Sequence, residues 1–240
     1  MGAQPEIWIS PEEYLKMERN SPFKNEYYNG MLLPLHNPDF AYKMGSANPS
    51  NLISPEEYLE KERNASFKSE FFNGQVYAMA GRSLAHNNIC VNVLAILYNN
   101  LKGKGCRPSN SDQRIKIKEW PSYSYPDISV TCGEPILIDK DNISNPIVIF
   151  EVQSDSTKVL DFTVKFGQYR QIPTLKEYVL VSTTLMQVTK FWRFEGTDVW
   201  NESVYDLKNN FPLQLDSIHL TLPLEDIYYN IELDAHLSIR

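Results

Sequence analysis

A chain of 240 residues with 42% hydrophobic and 22% charged residues has the composition of an ordinary globular protein, long enough for one good domain plus an addition or for two small domains. Its formal charge of −7 argues against strong, sequence-blind attraction to nucleic acid, which depends on Lys and Arg displacing counterions from phosphates. No apolar run approaches the ~20 residues of a membrane-spanning helix, and the opening MGAQPEIWIS lacks the basic-then-apolar order of a secretion signal, so a cytoplasmic protein without a membrane anchor is expected.

In chain order, the first feature is an echo. ISPEEYLKMERNSPFKNEYYNG runs from Ile9 to Gly30, and ISPEEYLEKERNASFKSEFFNG runs from Ile53 to Gly74. No third copy follows, so a stacked repeat array is excluded and a partial duplication remains. Each copy opens on Ser-Pro-Glu-Glu, in which Ser10 or Ser54 can cap a helix, proline fits the first helical position, and the acids favour the positive helix end. Between the copies, HNPDFAYKMGSANPSN has no apolar period and reads as a linker. The second copy leads straight on through Asn73-Gly74, a turn between the candidate strands KSEFF and QVYAMAG. Residues 51–240 are therefore expected to form the domain, and 1–50 an appended partial copy and linker. Tyr14 and Leu15 match Tyr58 and Leu59, so the first copy carries an apolar stripe that needs burial, on the flank of its own domain or in the equivalent groove of a second subunit.

LAHNNICVNVLAILYNNL places Ile89, Val93 and Leu97 on one helical face with Cys90, Leu94 and Leu101 beside them, and Ser83 is a candidate cap. His86, near the start of this helix, reads as a satisfied helix-end histidine more readily than as a base. Lys102, Lys104, Arg107, Arg114, Lys116 and Lys118 crowd the next stretch, either as a solvated helix end and strand face or as a patch that tracks phosphates. CRPSNSDQRIKI, YSYPDISVTCG and NPIVIFEVQS read as three strands, LDFTVKFGQYRQI as a helix with Phe162, Phe166 and Tyr169 inward, and KEYVLVS and QVTKFWRF as further strands. This order suggests an α/β domain with a mixed sheet. Cys90, Cys106 and Cys132 are widely spaced, without CxxC or a Cys/His pairing, and read as thiols of a reducing compartment.

The chemistry concentrates in the apolar strands. In PIVIFEVQ a two-residue period puts Glu151 and Gln153 on a face with Ile147 and Ile149, and Val148, Phe150 and Val152 on the other. A buried, unpaired carboxylate costs several kcal/mol, so Glu151 calls for a partner or a metal. Asp127 follows a proline in another apolar strand, and if the two strands are neighbours a divalent cation would relieve the repulsion between these acids. The plain alternative makes Asp127 a turn residue and pairs Glu151 with a surface lysine. Asp161 and Lys165, at i and i+4, could form a solvated ion pair. The chain has no glycine-rich phosphate loop, HExxH or GxSxG.

YPDISVTCGE, NPIVIFEVQSDST and KFGQYRQIPTLKEYVLVS, preceded by SPEEYL…SEFFNGQVYAMAG and AHNNICVNVLAILYNNLKGKGCRPSNSDQRIKI, together resemble the Uma-two family of restriction-endonuclease-like proteins. The resemblance spans about Ile53 to Glu232 and implies the PD-(D/E)xK nuclease fold, a mixed β-sheet flanked by helices, here with an N-terminal partial duplication. It assigns Asp127 and Glu151 as the motif acids, which with the backbone carbonyl of Val152 would hold Mg²⁺, Mn²⁺ being an alternative. Gln153 stands where the motif places its lysine. Lys165 on the following helix matches a lysine common in the family and is the candidate for a displaced catalytic lysine, and Glu70 in KSEFF matches a frequent family acid that could be an outer ligand. The reading this implies is a metal-dependent endonuclease hydrolysing phosphodiester bonds in DNA, with a homodimer the simplest way to cut both strands. The rival is an inactive nuclease-fold module that binds nucleic acid or a protein partner, favoured by Gln153 and the acidic balance.

Overall fold

The chain divides into two units, Met1–Leu52 and Ile53–Arg240. The computed structural model describes residues 53–66, 68–72, 74–78, 83–117, 122–153, 165–209 and 211–234, together with two strands of the first unit. Those strands, β1 (Asn25–Tyr28) and β2 (Met31–Pro34), form an antiparallel hairpin. The helix expected in the first copy, with Ser10, Tyr14 and Leu15, lies outside the described residues.

The second unit opens with α1 (Pro55–Asn64). It starts as its sequence dictates: Ser54 Oγ accepts the Glu57 N–H at 3.1 Å, proline takes the first turn, and Glu56 and Glu57 face the positive end. β3 (Ser69–Phe72) and β4 (Gln75–Ala78) follow as a hairpin, with Gly74 at φ 87° in the left-handed region that its turn requires. Asn73 lies outside the described residues. The two hairpins of the chain share a register: Asn25 pairs with Pro34 as Ser69 pairs with Ala78. The long helix α2 (Leu84–Leu101) is capped by Ser83, whose Oγ accepts the His86 N–H at 3.1 Å, and it buries Ile89, Val93, Leu97 and Leu101 along one face.

The remaining elements are β5 (Cys106–Asn110), β6 (Arg114–Ile117), β7 (Ser122–Ser124), β8 (Ile128–Cys132), β9 (Asn142–Ile143), β10 (Val148–Gln153), the short helix α3 (Phe166–Tyr169), β11 (Glu177–Ser182), β12 (Gln187–Arg193), β13 (Trp200–Asp206), β14 (Leu213–Leu215), β15 (Leu220–Leu222) and α4 (Leu224–Ile227). They build a six-stranded main sheet in the order β13-β12-β11-β10-β8-β5 and a five-stranded second sheet in the order β4-β3-β7-β6-β9, both mixed, with β14 and β15 as a separate ribbon. In the main sheet, β10 and β11 run parallel and the other pairs are antiparallel.

The main sheet is covered on both faces. On one side Ile89, Val93 and Leu97 of α2 pack with Val148, Phe150 and Val152 of β10 and with the β14–β15 ribbon. On the other, Ile149 meets Tyr169, Ile172 and Leu175 of the α3 region and Ile115, Ile117 and Ile143 of the second sheet. Tyr58 and Leu59 of α1 close the far side of the second sheet against Phe71 and Tyr123, with the Tyr58 and Phe71 rings stacked at 4.9 Å. Every residue of β10 is buried, which explains why the strand is apolar on both faces apart from Glu151 and Gln153.

Two segments expected as single strands are each split between the sheets. In CRPSNSDQRIKI, Asn110 Oδ1 accepts the Asp112 N–H at 3.1 Å and the Asn110 carbonyl accepts the Gln113 N–H at 3.1 Å, a tight turn that sends β5 to the main sheet and β6 to the second. In YSYPDISVTCG, Pro126 has no N–H for a ladder, and there the chain passes from β7 in the second sheet to β8 in the main one. Of the helix expected in LDFTVKFGQYRQI, α3 is described, with Tyr169 fully buried and Phe166 stacked on Tyr178 at 5.3 Å, whereas Asp161 and Phe162 lie outside the described residues. The basic run does not form one strip. Arg107 is exposed on the edge strand β5, but Arg114 is buried in the second sheet with its guanidinium 2.8 Å from Asp141, and Lys116 lies over the Tyr123 ring; Lys118 lies outside the described residues. Among the described residues no helix is long and apolar enough to cross a membrane.

The cysteine reading needs correction. Cys106 and Cys132 form a disulfide, and only Cys90 retains its thiol. The two are direct partners in the β5–β8 register with Cα atoms 4.0 Å apart, a proximity that sheet pairing creates across 26 residues of sequence. Closing a loop of that length restricts the unfolded chain by ~2–4 kcal/mol. Reduction, or a Cys132→Ala substitution under oxidising conditions, should lower unfolding stability by about that amount, read from urea denaturation with and without reductant.

Candidate functional site

The junction between the two sheets gathers the polar residues that the apolar layers exclude. Asp127 lies where the chain leaves β7 and enters β8, and it is 5% exposed. The β8–β10 register pairs Phe150 with Ile128, so one step further Asp127 meets the Glu151–Val152 end of β10. There the Val152 N–H donates to Asp127 Oδ2 at 2.8 Å. Gln153 offers its carbonyl to the Thr183 N–H at 2.8 Å on the β11 side, so strand alternation turns both the N–H and the carbonyl of Val152 to the opposite edge, that of Asp127.

Glu151 enters from the main sheet and is 1% exposed. Glu70 enters from β3 of the second sheet. A cation joins them: Lys165 Nζ stands 3.2 Å from Glu151 Oε1 and 3.4 Å from Glu70 Oε1, with the lysine itself 2% exposed. Lys165 directly precedes α3, and Tyr169, one turn on, donates its hydroxyl hydrogen to Glu151 Oε1 at 3.0 Å. The Tyr169 and Ser124 hydroxyl oxygens are 2.8 Å apart, Ser124 donates to Glu70 Oε1 at 2.6 Å, and the Tyr125 N–H donates to the same oxygen at 3.1 Å. A continuous polar path therefore runs from β3 through β7 and α3 to β10. Burial and the two nearby glutamates push the Tyr169 phenol well above its ordinary pKa, which keeps it a hydrogen-bond donor.

On the other side of Asp127, His86 Nε2 lies 3.1 Å from Oδ2, and Cys90 Sγ is 3.7 Å from His86 Nδ1. Burial works to raise the Asp127 pKa. The hydrogen bond and charge of His86, the Lys165 ammonium and the Val152 N–H outweigh it, and the carboxyl is held below its ordinary value.

Of the residues singled out from sequence, the structure brings Asp127, Glu151, Val152, Lys165 and Glu70 to one junction and places Gln153, buried, on the Glu151 face of β10. Lys165 contacts both glutamates; its expected partner Asp161 lies outside the described residues. Sequence reasoning passed over Ser124, Tyr125 and the polar side of Tyr169. The Tyr169 signal was legible, since it lies four residues after Lys165 on a helical period; the Ser124 signal required knowing that β3 and β7 are neighbours. The donor set of carboxylate oxygens with a strand-end carbonyl fits a hard divalent cation such as Mg²⁺.

Removing Lys165 would leave two buried carboxylates without their shared cation. Lys165→Met should destabilise the domain by ~3–5 kcal/mol, and Tyr169→Phe, which removes one donor from a buried acceptor, by ~1–3 kcal/mol; urea unfolding of the purified variants checks both. A depressed Asp127 pKa contributes stability above the unfolded value of about 3.9, lost as pH falls through the lower folded value. The stability gap between the native protein and Asp127→Asn should therefore be full at neutral pH and shrink below pH ~4, measured by denaturation across that range.

Comparison with known proteins agrees with this architecture. Residues 55–225 match the family described as "Uma2: Putative restriction endonuclease". The uncharacterized protein slr1290 of Synechocystis sp. is 36% identical over 220 residues, covering 92% of this chain and 91% of that protein. A second uncharacterized Synechocystis protein, sll1609, is 35% identical over 118 residues, covering 48% of this chain and 67% of its own length. A crystal structure described as "a putative nuclease belonging to DUF820", from Anabaena variabilis, superposes with a TM-score of 0.61 over 73% of this chain and 97% of that one; at 16% identity the likeness is one of fold. With a family match across most of its second unit and a relative aligned over nearly its whole length, the chain belongs to the Uma2 family.

Proposed function

We propose that the protein is a metal-dependent endonuclease that hydrolyses phosphodiester bonds in DNA, with its active site at the junction of the two sheets. The observation that carries this reading is the convergence of Asp127, Glu151, Glu70 and Lys165, four ionisable side chains from four separate segments, in a setting where each would be costly without the others. Asp127, Glu151 and the Val152 carbonyl are the groups that would hold Mg²⁺ or Mn²⁺. When bound, such an ion supplies positive charge to the phosphate oxygens and lowers the pKa of a water.

The chain's own residues do the rest. Lys165, already between Glu70 and Glu151, donates to a phosphate oxygen or to the attacking water and stabilises charge that builds on the phosphate. Glu70 and the Tyr169 hydroxyl keep the ammonium and Glu151 in place, and Glu70 acts as an outer ligand. The Gln153 amide, on the Glu151 face, orients water without contributing charge. Two copies of the chain would supply two sites, the simplest way to cut both strands of a duplex.

A second reading has its own observation: Gln153 occupies the place of the motif lysine in a chain of net charge −7, as expected of a module that keeps the scaffold and binds without turnover. Plasmid and single-stranded DNA incubated with Mg²⁺, Mn²⁺ or chelator separate the two. The nuclease reading expects cleavage with metal, none with chelator, and a loss of more than about 100-fold in Asp127→Asn, with its thermal transition retained. Binding of DNA or of a protein partner without cleavage under any of these conditions supports the module.

A further inference from the structure

We propose that His86 is a nitrogen ligand of the metal site at Asp127, and that the site consequently prefers Mn²⁺ to Mg²⁺. This rests on the metal-dependent reading above and adds to it a ligand and an ion preference.

The geometry comes from three elements. Ser83 fixes the start of α2, accepting the His86 N–H at 3.1 Å and donating its own hydroxyl to Asp234 Oδ2 at 2.8 Å, so the imidazole projects from a capped first turn. It is buried, 5% exposed, and its Nε2 lies 3.1 Å from Asp127 Oδ2. Two ligand atoms at right angles on an octahedral ion, each ~2.1–2.2 Å from the metal, are ~3.0–3.1 Å apart. The histidine and the aspartate thus already stand at the separation of neighbouring ligands; an ion in place of the shared hydrogen would sit to one side of the Nε2–Oδ2 line, so the imidazole turns while the two atoms keep their spacing. Cys90, four residues on along the same helix, supplies the outer contact. Its Sγ lies 3.7 Å from Nδ1, where it accepts the ring hydrogen in the tautomer that leaves Nε2 with a lone pair for a metal. His86, Cys90 and Asp127 offer ligand atoms within 4.8 Å of one another.

The ion preference follows from the donor. Mg²⁺ is hard, keeps its waters and takes oxygen; Mn²⁺ lies closer to the borderline ions that imidazole suits. With carboxylates alone the two would compete on nearly equal terms, and a neutral imidazole tips the choice.

The test is binding rather than turnover. The full chain, freed of metal with chelator and dialysed, is titrated calorimetrically with Mn²⁺ and with Mg²⁺, and the Mn²⁺ complex is examined by electron spin echo envelope modulation. The expected result is at least about tenfold tighter Mn²⁺ binding and a ¹⁴N coupling of the size given by a directly coordinated imidazole. His86→Asn keeps a hydrogen-bond donor for Asp127 but offers no imidazole; it should lose both the coupling and the preference. Equal binding of both ions without nitrogen coupling in the native protein overturns the inference and leaves the metal site standing. Unchanged selectivity in a folded His86→Asn protein also overturns it. Should that variant fail to fold, the native spectrum decides alone. If neither ion binds the native protein, the metal-dependent reading falls, and this inference with it.

Discussion

Two ionised glutamates from different sheets are costly to bury side by side without a cation, and Lys165 is the cation they share. Glu70 belongs to β3 in the second sheet and Glu151 to β10 in the main sheet, and the lysine lies 3.4 and 3.2 Å from their carboxylates. Ser124 and Tyr169 each donate a hydroxyl hydrogen to one of these carboxylates. An unpaired carboxylate in this setting would be a penalty of several kcal/mol; satisfied, it fixes how α3 and the two sheets meet. Breaking such a buried set by removing one member is far more costly than its net worth, because the groups left behind stay desolvated.

The apolar layers explain why the site is where it is. β10 gives Val148, Phe150 and Val152 to the core under α2, and Ile149 to the core between the sheets. Its last residues run past the paired part of β8, and there the aliphatic face gives way to Glu151 and Gln153. Asp127 arrives at the same point because Pro126 interrupts one ladder and the chain changes sheets. The polar site thus occupies the place where strand pairing ends and backbone groups such as the Val152 N–H need partners. A strand end inside a packed core is where polar groups can be held rigidly by partners from several elements.

Asp127 is held from two sides. His86 comes from the helix layer on one face of the main sheet, and Lys165 from the α3 layer on the other, and both stabilise its charged form. An acid fixed in this way is held ionised and in one orientation.

The sequence by itself determined the local elements and the chemical types. Ser54 and Ser83 announce their helices because a capping hydroxyl acts within three residues, and α2 buries the face that its apolar period marks. Glu151 was legible as an anomaly, an acid in a strand that is apolar on both faces, and the motif order carried Asp127, Lys165 and Glu70 with it. Pairings between distant segments were decided only by the tertiary structure. The Cys106–Cys132 bond depends on β5 and β8 being neighbours, the Ser124–Glu70 bond on β7 and β3, and the His86–Asp127 contact on the packing of a helix against a strand end 41 residues later. The basic run from Lys102 was dispersed for the same reason, since a turn at Asn110 sends its two halves to different sheets. Caps, periods and turns are governed by forces between residues a few positions apart, whereas sheet order is set by how the whole apolar surface is buried, and no single stretch of sequence carries that information.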